Sequence, residues 1–162
     1  MKDIKKKIIG VDNNNYKLSL AKKLGCKFLI NNSNKNYKKK IFNIFKQQAD
    51  FCLEFAGYAK TIMDAFDMIK DESGTLFFAS HPATKENIVI NPFELIKGKK
   101  IFGCWGGFSK PDKDIKNISK IIRDDHKKFF EKYSKIYELD ETEKALIDLS
   151  KGRILRPILK LV

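Results

Sequence analysis

Apolar positions along this chain alternate between two rhythms. Short continuous runs are bounded by Asn, Ser or Gly: Lys7-Ile8-Ile9-Gly10-Val11-Asp12, Cys26-Lys27-Phe28-Leu29-Ile30, Asp50 to Gly57, and Thr75-Leu76-Phe77-Phe78-Ala79. Runs of this length with such boundaries predict strands, and the unbroken run at 75–79 predicts a parallel strand covered on both faces. Between them the spacing becomes helical. Tyr16, Leu18, Leu20, Ala21 and Leu24 share one face, with Asn14 or Asn15 placed to cap the start and Gly25 to end the helix in a left-handed conformation. A second helix is predicted over 37–48, with Ile41, Phe42, Ile44 and Phe45 as its buried stripe. A third carries Ile62, Met63, Ala65, Phe66, Met68 and Ile69.

The second half is less regular. Ser80-His81-Pro82 leaves the fourth strand, Ile88-Val89-Ile90 is short and extended, and Asn91 to Ile96 reads as a helical turn opened by Pro92. Lys100-Ile101-Phe102-Gly103-Cys104 predicts a strand leading into Trp105-Gly106-Gly107. Pro111 opens a helix carrying Ile115, Ile118, Ile121 and Ile122. A strand over 136–139, a helix capped by Asp140 and ended after Leu149 by Gly152, and a strand from Ile154 to Val162 close the chain. Strands separated by helices of ten to fifteen residues argue for βαβ units, hence an α/β fold with a mostly parallel sheet.

At 162 residues the chain is long enough for one domain with a real core, taken here as 1–162, with 135–162 a strand-helix-strand segment. A hydrophobic share of 43% excludes a disordered chain. No apolar run reaches membrane-spanning length, and Met1 to Lys7 opens on charges with no signal-type apolar stretch behind them, so a cytoplasmic protein is the expectation. The net charge of +13 raises nucleic acid as a partner. However, the lysines are spread through every predicted element, the dense runs are only Lys5–Lys7 and Lys38–Lys40, and aromatics do not alternate with them as a stacking platform requires. Cys26, Cys52 and Cys104 are far apart in apolar contexts, and with His81 and His126 the only histidines no zinc site is expected within the chain.

Asp12 is the first candidate for chemistry. Ligands of open α/β sheets bind outside the carboxyl ends of the strands, where an acid can accept hydrogen bonds from both hydroxyls of a ribose. The alternative is an ordinary acid at a strand-to-helix turn, a place that favours Asp and Asn anyway.

The ordered set IIGVD…K, FCLEFAG, GTLFFASHP, NPFELIKGKKIFGCWGG, a Pro-led helix and LDETEKALIDLSKGRILRPILKL resembles the carboxyl part of the zinc-type medium-chain alcohol dehydrogenases, from about Ile8 to Leu161. The resemblance implies a Rossmann-like, doubly wound coenzyme-binding domain and no catalytic residue in this chain. Asp12 matches the acid on the adenosine ribose, which implies NAD rather than NADP because a 2′-phosphate would be repelled. Lys17 falls where the family often has a lysine reaching the same ribose, with a solvated helix lysine as the alternative. Ala56 and Gly57 match the strand end where backbone passes close to the coenzyme. Ala79, Ser80 and His81 match the loop meeting the nicotinamide amide, and His81, lacking a partner in the sequence, reads as a loop histidine rather than a base. Cys104 and Trp105 correspond to the other wall of the nicotinamide pocket. Arg156 fits the arginine on the pyrophosphate, or else an exposed strand-end charge.

The resemblance also implies what lies outside these residues. The family's zinc ligands, first Rossmann strand and Gly-x-Gly-x-x-Gly turn have no counterpart here, so the expectation is a partial sheet beginning just before the second strand. That leaves the strands at Ile8 and Phe51 with open central edges, unless they pair directly or borrow a strand. The implied protein is a fragment or split portion of an NAD-dependent dehydrogenase. Its partner would be a chain carrying the catalytic zinc domain and the first strand, and self-association would run through Lys100 to Cys104. The rival readings are a non-catalytic interaction module and, third, a basic polynucleotide binder.

Overall fold

The computed structural model describes residues 8–121 and 124–161. Lys7, Ile122 and Val162, which the spacing assigns to two strands and a helix, lie outside the described residues, as does the basic run Lys5–Lys7. The chain divides into two compact units: the residues up to Asn31 together with those from Lys110 onward, and Asn32–Ser109.

In the first unit, strand β1 (Ile9–Asp12) runs into helix α1 (Asn15–Lys23) and returns as β2 (Phe28–Asn31), pairing parallel with β1. Asn14 caps α1 by accepting from the Tyr16 and Lys17 N–H groups, and Gly25 leaves the helix at φ 93°, as the sequence predicts. Beyond Lys110 come α5 (Pro111–Ile121), α6 (Asp124–Tyr133), β6 (Ser134–Tyr137), α7 (Thr142–Ser150) and β7 (Arg156–Leu159), with β6 and β7 parallel. Helix α6 is absent from the sequence expectations. Asp140 does not cap α7: it sits inside a 3-10 turn, Leu139–Glu141, that precedes the helix and closes through a capping box between Glu138 and Glu141. Tyr137, fully enclosed, donates its hydroxyl to Asp148 at 2.9 Å. Asp148 also takes Arg153 at 3.1 Å, so α7 is fastened to β6, and these two donors hold the Asp148 carboxyl below its ordinary range.

The second unit holds α2 (Tyr37–Phe45), β3 (Phe51–Glu54), α3 (Ala59–Met68), β4 (Thr75–Phe78), α4 (Pro92–Ile96) and β5 (Lys100–Gly103). The three strands form a parallel sheet in the order β3-β4-β5. Its core is Ile62, Ala65, Phe66 and Ile69, which follow the 3.6-residue repeat of α3 and its exit, set against Leu76 of β4; Cys52, Phe78, Ile88, Ile90 and Ile101 pack around them. Each fully buried side chain of this size contributes about 1.5–3 kcal/mol. Burial also pushes the Cys52 thiol up to about 11, leaving it protonated and inert. Helix α2 stops at Phe45, earlier than its apolar spacing suggests, because Lys46 turns left-handed at φ 55°. The residue it buries is Tyr37 rather than Phe42, which stays half exposed.

Tyr37 is held by Asp64. Its hydroxyl donates to the Asp64 carboxylate at 2.7 Å, and Lys38 and Lys60 each reach the same carboxylate at 2.5 Å. Burial pushes the Asp64 carboxyl up, but the hydrogen bonds from Lys38, Lys60 and Tyr37 outweigh it and hold the group at about 2. A carboxyl depressed by folding stabilises the native state above its unfolded value and loses that contribution as pH falls towards the folded one. Asp64→Asn should therefore lower the urea midpoint at pH 7 by an amount corresponding to about 1–2 kcal/mol, and the gap to wild type should close between pH 4 and 2. A gap independent of pH contradicts this assignment.

Among the described residues, β1 has β2 on one side and no strand on the other, and β3 has only β4. Phe51, Leu53 and Phe55 along β3 are 68%, 67% and 71% exposed, an apolar row beside an open strand edge.

Candidate functional site

Because β3, β4 and β5 are parallel and in register, their carboxyl ends lie side by side: Glu54 opposite Phe78, and Phe78 opposite Gly103. The ladder runs one residue past each end, with Ala79 N–H donating to Glu54 O at 3.1 Å and Cys104 N–H to Phe78 O at 2.8 Å. Three exits thus leave one edge of the sheet together. The β4 and β5 exits enclose an open cleft of about 340 Å³, floored by Phe78 and walled by Ser80, His81, Pro82, Gly103, Cys104, Trp105 and Phe108. Gly103 lies close under the floor: a Cβ at this position would come within 3.2 Å of the Phe78 ring, which would have to shift by a few tenths of an ångström to admit it. The His81 and Trp105 rings meet edge to face at 4.8 Å across the mouth of the cleft, and Trp105 is 77% exposed.

The structure therefore brings Ser80, His81, Cys104 and Trp105, from two segments more than twenty residues apart in sequence, to one cavity, while Ala79 sits in the β4 exit outside its lining. Ala56 and Gly57 join them through a residue that the motif reading passed over. Glu54, 5% exposed, accepts the Ala56 and Gly57 N–H groups at 2.8 and 3.1 Å on Oε1, together with the Thr61 hydroxyl at 2.7 Å, and its Oε2 takes the Ser80 hydroxyl. The signal was present in the sequence: one acid inside the otherwise apolar stretch Phe51-Cys52-Leu53-Glu54-Phe55. Gly57 stands at φ 86° with a would-be Cβ 3.6 Å from the His81 carbonyl, so the first exit lies against the second.

Asp12, Lys17 and Arg156 belong to the other unit. Asp12 ends β1 and accepts the Asn14 N–H at 2.8 Å on Oδ1, leaving Oδ2 without a hydrogen bond among the described residues. Opposite it, Asn31 ends β2 and donates to Asn13 O and Asn15 Oδ1, bracing the turn. Lys17 is exposed on the first turn of α1, and Arg156 is exposed at the first position of β7. Among the described residues no group of three or more His, Cys, Asp and Glu is placed to hold a metal ion, and no helix is long and apolar enough to cross a membrane.

A cavity of this volume is within the range of small-molecule sites, about 300–1,000 Å³, and pairs aromatic walls with a few polar groups as such sites do. Its position beyond the carboxyl ends of parallel strands is where α/β sheets bind ligands.

Comparison with known proteins gives a consistent result. The family model described as zinc-binding dehydrogenase matches residues 2–123. Alcohol dehydrogenase 2 of Zea mays is 24% identical over 157 residues, covering 96% of this chain and 41% of that protein. The crystal structure of benzyl alcohol dehydrogenase from Acinetobacter calcoaceticus superposes with a TM-score of 0.84 at 29% identity, over 96% of this chain and 42% of that one. An alcohol dehydrogenase zinc-binding domain protein from Burkholderia ambifaria gives 0.83 at 27%, with the same coverage. The chain thus spans about two-fifths of the length of the relatives it matches.

Proposed function

This chain belongs to the zinc-binding dehydrogenase family, and from that premise we propose that it supplies part of the coenzyme-binding domain of an NAD-dependent, alcohol-dehydrogenase-like oxidoreductase. The observation that carries the reading is the convergence of the β4 and β5 exits on one aromatic-walled cleft beyond the strand ends. When bound, a nicotinamide coenzyme supplies hydride acceptance or donation, and the family's catalytic zinc would sit outside these residues. The chain's own residues bind and orient. Backbone at Ala79–His81 meets the carboxamide, Trp105 and Cys104 wall the ring, and Ala56 and Gly57 let the dinucleotide pass close. Asp12 holds the adenosine ribose through its free oxygen with Lys17 beside it, and its charge repels a 2′-phosphate. Arg156 is the residue whose guanidinium would suit a pyrophosphate, through two phosphate oxygens.

The open edges of β1 and β3 and the exposed row Phe51, Leu53 and Phe55 support a partner that contributes a strand and covers this face, either as a separate chain or as further polypeptide. The outer edge of β5 is where two copies would pair. These residues hold no Gly-x-Gly-x-x-Gly turn, so the pyrophosphate loses the helix N-terminus that ordinarily receives it. Titration calorimetry on the 162-residue chain should accordingly give NADH a weak but measurable Kd, roughly 0.1–3 mM, with NADPH weaker still. Micromolar NADH binding contradicts the incomplete-domain account, and a preference for NADPH contradicts the role of Asp12.

A further inference from the structure

We propose that Glu54 is a positioning residue for the coenzyme, setting the spacing between the β3 exit and the β4 exit without touching the ligand itself. The inference rests on the coenzyme reading above. A buried carboxylate is expensive unless its oxygens are satisfied, and those of Glu54 are: two backbone N–H groups and two hydroxyls converge on it. Those donors come from three different places. Ala56 and Gly57 form the β3 exit, Thr61 lies on the first turn of α3, and Ser80 is part of the β4 exit. Thr61 is also tied to the end of the β3 exit by its own N–H and hydroxyl on the Tyr58 carbonyl, so what the Glu54 carboxylate adds is the link from these two places to Ser80. The β3–β4 ladder ends with Ala79 N–H on the Glu54 carbonyl, so beyond that bond the side chain of the same residue is what spans the two loops.

Position matters because the cleft is built from loop backbone. Ser80 lines the cavity with one face and gives its hydroxyl to Glu54 with the other, and Gly57 backs directly onto the His81 carbonyl. If the carboxylate retreats by one methylene, Ser80 and the Ala56–Gly57 turn can no longer both be held, and the backbone groups facing the ring move apart. Preorganised contacts are sensitive to displacements of this size. Glutamine differs in a useful way. Its carbonyl oxygen can keep the two backbone donors and Thr61, while its amide turns to Ser80, whose hydroxyl can accept instead of donating.

The full chain contains one tryptophan, Trp105, at the mouth of the cleft, so its single indole N–H resonance reports occupancy directly. Titrating ¹⁵N-labelled chain with NADH into the millimolar range should shift that resonance. Glu54→Asp should raise the midpoint at least roughly tenfold, while Glu54→Gln should stay within about threefold of wild type. Thr61→Val removes one donor outside the cavity and should weaken binding by roughly threefold, which keeps the test open if Glu54→Asp does not fold. Urea unfolding of each variant separates lost stability from lost affinity, because a purely structural role leaves the midpoint of the folded chain unchanged. Wild-type and Glu54→Asp midpoints that coincide, or a Thr61→Val midpoint equal to wild type when the aspartate variant is unfolded, overturn the positioning role alone. A wild-type indole that never moves overturns the coenzyme reading and this inference with it.

Discussion

Phe66→Ala should cost the Asn32–Ser109 unit about 3–5 kcal/mol and with it the cleft. Phe66 is 2% exposed at the centre of the α3–β4 cluster, and the Lys99 ammonium lies 5.2 Å from its ring centroid. Lys99 is itself buried, paired with Glu94 at 2.8 Å and Asp71 at 3.5 Å, so the ring also forms one wall around an enclosed cation. Truncating the ring removes the largest side chain of this buried cluster and opens the lysine to a void. Against a typical domain stability of about 5–15 kcal/mol, a loss of this size leaves the unit barely folded. Phe51→Ala should change little, because Phe51 is exposed on the uncovered side of β3. Urea titrations followed by Trp105 fluorescence, whose reporter sits in the same unit, distinguish the two. Equal shifts in midpoint would show that the cluster around Phe66 is not the centre of the fold.

The second large effect concerns coenzyme preference. Asp12→Asn keeps an acceptor for the Asn14 N–H but removes the charge that the proposed reading sets against the ribose. A carboxylate within a few ångströms of a 2′-phosphate is repulsive by several kcal/mol at the effective dielectric of a protein surface, and counter-ions reduce that figure. The ratio of NADPH to NADH affinity should therefore rise roughly ten- to a hundredfold, on the order of 1.4–2.8 kcal/mol. Calorimetric or NMR titrations with the two coenzymes read this directly. An unchanged ratio would make Asp12 an ordinary turn acid, engaged only with Asn14.

The parts of this structure that were legible in the sequence are those governed by local rules. The strands at Ile9, Phe51, Thr75 and Lys100 follow from short apolar runs, and α1 and α3 from regular spacing with a capping Asn14 and a terminating Gly25. Where the sequence misled, tertiary context had overridden the pattern. Phe42 is apolar at a helical interval yet stays half exposed, because the face that α2 buries is set by the Tyr37–Asp64 contact with α3. Helix α6 was hidden by its charges: Lys127, Lys128, Glu131 and Lys132 outnumber its apolar positions, so no stripe wide enough to read emerged. The acid at 140 looked like a cap because helix starts favour Asp, but the chain entered α7 through a 3-10 turn closed by Glu138 and Glu141 instead.

The site divides in the same way. Asp12 could be found from its place at a strand end. The gathering of residues near 56, 80 and 105 needed strand register, which no linear spacing contains. Glu54 is the instructive omission. An acid within an apolar strand is a local contradiction of the pattern, and here the contradiction is resolved by four donors drawn from two loops and a helix turn.

The measurement that bears most directly on the central claim is a residue-by-residue map of where NADH perturbs the amide spectrum of the 162-residue chain. The account predicts that the largest shifts fall at Ala56, Gly57, Ala79, Ser80, His81, Cys104 and the Trp105 indole, with a second set around Asp12. Shifts confined to the exposed lysine faces of α1 and α5, with the cleft residues silent, would contradict it.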